Sequence, residues 1–166
     1  MFELEIAKIR RYSQIGLWGS VAMVILTGLF LYASPWRFAP QTDYVNRWML
    51  MAGSILAVLA LSMALLVIRK RVPQLRQTES LDTKLKGYCA HVRSLYLGIL
   101  TVVVILCAMM LLSGQTVLLM LAIVTVMMLF LAYPNLYKVK VDLGLTDEEM
   151  KQLYGEKYIS ENNDEA

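Results

Sequence analysis

Three stretches without a single Asp, Glu, Lys, Arg or His constrain this chain more than any other feature. They cover residues 12–36, 48–68 and 94–137 and hold 25, 21 and 44 residues. A membrane-crossing helix needs roughly 20 consecutive apolar residues to traverse a hydrocarbon layer about 30 Å thick. Runs of that length cannot be hidden inside a water-facing domain of 166 residues. Composition agrees, with 58% of residues hydrophobic and 17% charged, where a soluble domain is roughly a quarter charged. The chain reads as an integral membrane protein.

The longest interval is too long for one crossing, because a single helix of that length would run to about 66 Å at about 1.5 Å per residue. Ser113, Gly114, Gln115 and Thr116 supply the break, a glycine among polar residues that can end one helix and start the return. The sequence therefore predicts an all-α fold with four transmembrane helices in an up-and-down bundle, over residues 15–32, 48–68, 95–112 and 117–133. Pro134 closes the last. Residues 1–137 form the transmembrane domain, with a basic loop over 69–93, and 138–166 form an acidic tail. The first run exceeds the roughly 7 to 15 apolar residues of a signal peptide, so it is read as a retained span. Neither a lipidation motif nor an N-x-S/T sequon is present, which favours a bacterial inner membrane.

Orientation follows from Lys and Arg. The N-terminal segment carries three, the first loop two, the second loop seven, the third none and the tail four. The positive-inside rule puts both termini and the second loop in the cytoplasm. Aromatic residues near the proposed boundaries agree, with Tyr32, Trp36 and Trp48 outside and Tyr12, Trp18, Tyr96, Tyr133 and Tyr137 inside.

Helices in lipid associate through close backbone approach at small residues. Gly53, Ala57, Ala60 and Ala64 recur at intervals of 4, 3 and 4 in the second span, and Gly16, Ser20, Met23 and Thr27 do the same in the first. These stripes pack either within one bundle or against a partner. No ionisable residue lies inside any span, although proton relays and ion-coupled transport ordinarily need one. The intramembrane polar groups are Ser20, Thr27, Ser54, Ser62, Thr101, Thr125 and Cys107, which ordinarily bond back to their own helix.

His91, the only histidine, follows Cys89 by two residues, but two ligands do not make a closed zinc site. No CxxC, HExxH, phosphate loop or nucleophile elbow occurs, so neither a cofactor nor an enzymatic activity is expected. Arg69, Lys70, Arg71 and Arg76 form a juxtamembrane cluster able to attract anionic headgroups, at roughly 1 kcal/mol each.

Amphipathic order returns outside the spans. Phe2, Ile6 and Ile9 predict a short surface helix leading into the first span. Leu81, Leu85, Cys89, Val92 and Tyr96 predict that the third span starts two or three turns below the membrane, with Thr78 or Ser80 as cap. Thr146 to Glu149 is a capping box, with Leu145 and Met150 placed for a hydrophobic staple, and predicts a helix over 147–154 that stops at Gly155 before a frayed end over 161–166. Residues 69–93 carry seven positive and two negative charges and residues 134–166 carry four positive and eight negative. The tail is therefore expected to fold onto the second loop through Met150, Leu153 and Tyr154, or else to dock a partner with the same face.

The leading functional reading is a non-enzymatic accessory or scaffold subunit assembling through its membrane helices and tail. The alternatives are a small oligomeric channel or uncoupled transporter, and a lipid-handling or lipid-modifying protein. Expected partners are the bilayer, anionic lipids, and a membrane protein or second copy of this chain; nothing points to nucleic acid.

Overall fold

The computed structural model describes residues 2–33, 43–66, 72–77 and 80–154, and helix is the only regular structure among them. The helices are α1 (Phe2–Ala33), α2 (Asp43–Leu66), α3 (Val72–Arg76), α4 (Leu81–Ser113), α5 (Thr116–Leu131), α6 (Leu136–Leu143) and α7 (Asp147–Tyr154). Three of them, α1, α2 and α4, are long and apolar enough to cross a membrane. The fourth expected span, α5, has 16 residues, or about 24 Å of helix.

The short surface helix expected to lead into the first span forms the first turns of α1, which is continuous with that span over 32 residues. Residues 2–15 contain neither Gly nor Pro, so nothing interrupts the backbone ladder. Ser80 sits at the N-cap of α4 in extended conformation, but its side chain makes no cap bond. Thr78, Gly155 and residues 161–166 lie outside the described residues.

Packing centres on α4. Its buried positions Leu85, Cys89, Val92, Tyr96, Ile99, Val103, Leu106 and Met110 alternate steps of four and three, a repeat of 3.5 residues. On α1 the matching series is Ile9, Ser13, Gly16, Ser20, Met23 and Thr27, all buried but the partly buried Met23. Such a repeat keeps one seam facing a neighbour along the whole length of two helices. The helices run parallel in constant register, with Tyr12 beside Arg93, Gly16 against Tyr96 and Gly19 against Leu100. Small residues on α1 meet large ones on α4, so the backbones approach closely.

The chain reverses at Gly114, whose φ of 68° is the left-handed conformation that glycine adopts freely, and its N–H donates to Met110 O. α5 then returns along α4 and α2. Gln115 Nε2 donates to Asn46 O at 3.0 Å at the start of α5, and the buried Tyr96 hydroxyl donates to Leu129 O at 3.1 Å near its end. The N-terminal turns of α1, α3, α6 and α7 share the end of the assembly opposite Gly114, here termed the basic end.

The outside of the long helices is apolar. Val58, Met63, Trp18 and Leu131 are all more than half exposed, as are Ile25, Leu29 and Ile55. Water does not support a continuous apolar surface of this extent, and lipid does.

Candidate functional site

At 33 residues α4 is about 50 Å long, so it overshoots a hydrocarbon layer by about 20 Å. The buried core of the described residues continues along this overshoot. Leu85, Tyr88 and Val92 of α4, Val139 and Leu143 of α6, and Met150 and Leu153 of α7 are buried in one cluster.

Each short helix there is closed by identifiable groups. Asn135 caps α6, its Oδ1 accepting from Lys138 N at 2.7 Å. Gly144 ends α6 with φ 61°, and Leu145 N–H donates to Lys140 O at 3.0 Å while Gly144 N–H reaches Val141 O, the paired bonds of a Schellman turn. Arg76 adds to these bonds, its Nη2 donating to Val141 O, which thereby accepts a second hydrogen, at 2.6 Å and its Nε donating to Asp142 O at 3.0 Å. This places a cation at the negative end of α6 and ties α3 to it. Tyr88 OH donates to Asp142 Oδ2 at 3.1 Å, fastening α6 to α4.

α7 follows at once. Thr146 N–H donates to Glu149 Oε2 at 2.8 Å and Glu149 N–H donates to Thr146 Oγ1 at 3.3 Å, the reciprocal capping box. Leu145 before the cap and Met150 after it are both buried, as a hydrophobic staple requires. Two ion pairs flank the helix, Lys140–Asp147 at 2.6 Å and Lys84–Glu149 at 3.8 Å.

The small-residue stripe of α2 is turned inward. Gly53, Ala57 and Ala64 are buried and Ala60 partly so; a Cβ on Gly53 would collide with Leu118 Cδ2 and stand 3.4 Å from Leu106 Cδ2. This stripe faces α5 and α4 of the same chain. Met150 and Leu153 are covered by the chain itself, while the Tyr154 side chain lies outside the described set. Arg76 is committed to α6, and Arg69, Lys70 and Arg71 lie outside the described residues. Of the hydroxyls expected within the membrane, Ser20, Thr27, Thr101 and Thr125 donate to carbonyls four residues earlier in their own helices.

Two clefts open near this end. One, about 410 Å³, lies between α1 and α4 and is lined by Glu5, Lys8, Tyr12, Lys86, Cys89 and Arg93 among others. Its charges are largely matched: Lys8 pairs with Glu5 at 2.8 Å, Lys86 pairs with Asp82 at 2.5 Å, and Arg93 stacks over the Tyr12 ring at 5.4 Å. Burial, reinforced by the Glu5 carboxylate, pushes the Cys89 thiol above its ordinary range, so it stays protonated. The other cleft, larger and apolar, runs between α1, the end of α5 and α6. No group of three or more potential metal ligands occurs among the described residues, Cys89 and His91 included. Neither α3 and α6 nor this apolar groove is among the features expected from the sequence. Asn135 and Gly144, a cap and a left-handed stop that bracket the eight residues of the helix, are the signal in the sequence that marks α6.

No protein family, curated protein sequence or solved structure matches this chain.

Proposed function

We propose that this chain is a non-enzymatic accessory or scaffold subunit of a bacterial inner membrane, which crosses the bilayer four times and holds a folded platform on the cytoplasmic side. The observation that carries the reading is the overshoot of α4 with α3, α6 and α7 fastened onto it by buried side chains and capped termini. A platform that is one piece with a membrane helix can hold a partner in fixed orientation to the bilayer. The small-residue stripes and the apolar side of α7 face inward, which leaves the charged outer surface of the platform as the surface for a partner. Two features support α5 as a fourth crossing: it returns from Gly114 to the level of Tyr96, and it is uncharged throughout. The cluster of Lys and Arg at the basic end supports the cytoplasmic assignment.

A photo-crosslinking residue at exposed Glu148 or Lys151, compared with one at Leu112 near the opposite end, tests the scaffold reading in native membranes. The expected result is one protein adduct of constant mass from both platform positions and lipid adducts from Leu112. Lipid or self adducts alone from the platform would remove the reading. Orientation is tested separately with Glu148→Cys and a membrane-impermeant maleimide. Labelling is expected in inverted vesicles and not in intact cells, and the reverse pattern would invert the topology.

A further inference from the structure

The apolar groove between α1, α5 and α6 has a volume of about 780 Å³. Leu17, Phe130, Leu131 and Val141 give it hydrocarbon walls, and Leu131 and Phe130 are more than half exposed, so the walls open outward rather than into the core. Trp18, Tyr133 and Tyr137 line it as well. Trp and Tyr settle at the headgroup level of a bilayer, where an apolar ring and a polar edge are both accommodated. The groove thus straddles the end of the uncharged stretch 94–137 and the first cation after it, Lys138.

Lys138 sets the chemistry of the polar end. Its Nζ donates to Leu131 O at 2.8 Å, which anchors the ammonium at the last turn of α5 and inside the groove. An ammonium has three donors, so further hydrogens are available beyond that carbonyl. Arg11, exposed, precedes Trp18 by seven residues on the same face of α1 and stands about 10 Å toward the basic end, outside the residues that line the groove, so Lys138 is the cation of the site. No carboxylate is found among the described residues that line the groove. An apolar slot with aromatic sides and a cation at its water-facing end is complementary to a lipid of opposite charge. A free phosphate would use only Lys138 and leave the hydrocarbon walls without a role.

The geometry points to a resident phospholipid with an anionic headgroup, its acyl chain along Trp18, Phe130 and Leu131 and its phosphate at Lys138. Its cation, Lys138, is not one of the Arg69, Lys70, Arg71 and Arg76 cluster. The site also does not depend on the scaffold reading.

Trp18 is a built-in probe. In a chain carrying Trp36→Phe and Trp48→Phe, Trp18 is the remaining tryptophan. The protein is placed in phosphatidylcholine vesicles containing a small, equal fraction of brominated phosphatidylglycerol or brominated phosphatidylcholine, and quenching of Trp18 is measured. The anionic lipid is expected to be preferred by about fivefold, the effect of one juxtamembrane cation. Lys138→Gln should bring the ratio to about one and Lys138→Arg should restore it. Val141→Phe, which fills the groove and keeps the cation, should lower quenching by both lipids and covers the case in which Lys138→Gln fails to fold. Equal quenching by the two lipids in the parent chain overturns the proposal. So does a preference that survives Lys138→Gln and is lost on replacing Arg69, Lys70 and Arg71 with Gln, since that would assign the lipid to the loop.

Discussion

Gly16→Leu should destabilise the folded protein by about 3 kcal/mol, the upper end of what overpacking ordinarily costs, and should do so by separating α1 from α4. A Cβ at Gly16 would stand 2.6 Å from Tyr96 Cβ and 3.1 Å from Tyr96 O. A flexible side chain could turn away, but a carbonyl oxygen in the middle of a helix cannot. The neighbouring side chain has little room either: Tyr96 is fully buried, and its hydroxyl is held by Leu129 O of α5. The strain therefore spreads along the seam from Ser13 to Thr27. Gly28→Leu is the matched control, since nothing lies within 4 Å of a Cβ there, and it should change stability by no more than about 0.5 kcal/mol. Reversible unfolding in mixed micelles, followed by helix content, measures both. Equal effects at the two glycines would mean that membrane insertion, and not the α1–α4 seam, sets stability.

The seam also shows how far the sequence could be read. Uncharged runs locate α1, α2 and α4 because crossing a membrane imposes a length that local chemistry cannot disguise. The small-residue series beginning at Gly16 and the amphipathic series Leu81 to Tyr96 are both legible in the order of residues alone. Their continuation through the membrane as one shared 3.5-residue repeat is harder to see. Inside lipid the outward face is as apolar as the inward one, so hydropathy carries no phase, and only side-chain size distinguishes Gly16 from Trp18. Parallel pairing of α1 with α4 is a tertiary fact, fixed by which large residues meet which small ones.

Outside the membrane the difficulty is different. In α6 the run Lys138-Val139-Lys140-Val141 alternates polar and apolar residues, a period of two that reads as extended chain or loop. Val139 and Leu143 are nevertheless four apart and both buried, and the cap at Asn135 and the turn at Gly144 decide for helix. α3 has five residues, too few for periodicity to register, and it is held by the buried Val72, by Leu75 against Gly87 of α4 and by Arg76 on the α6 carbonyls. Arg76 thereby illustrates why a basic cluster is ambiguous in sequence: membrane attraction and helix capping both ask for a cation at the same place. The capping box of α7 is legible because its partners are three residues apart and need no tertiary knowledge.

Charge and packing make opposite predictions about what holds α7, and adjacent positions separate them. Met150 is fully buried, so Met150→Asp places a carboxylate in an apolar site without a partner, a cost of at least about 3 kcal/mol. An eight-residue helix is not stable alone. Undocking therefore means unfolding, and the amides of α7 should exchange with solvent deuterium more than about a hundredfold faster, as that free energy implies at about 1.4 kcal/mol per factor of ten. The core of α4 between Ile99 and Met110 should keep its protection. Glu149→Gln leaves the capping box intact, because an amide can serve there, and removes only the 3.8 Å pair with Lys84. That pair is long and partly exposed, and its loss should cost about 1 kcal/mol or less and speed exchange no more than about fivefold. Added salt should act like Glu149→Gln, weakening the ion pairs while the buried apolar contacts persist. If instead Glu149→Gln or high salt frees α7 as fully as Met150→Asp does, attraction between the basic and acidic segments is the dominant force, and the platform is an electrostatic latch and not a core.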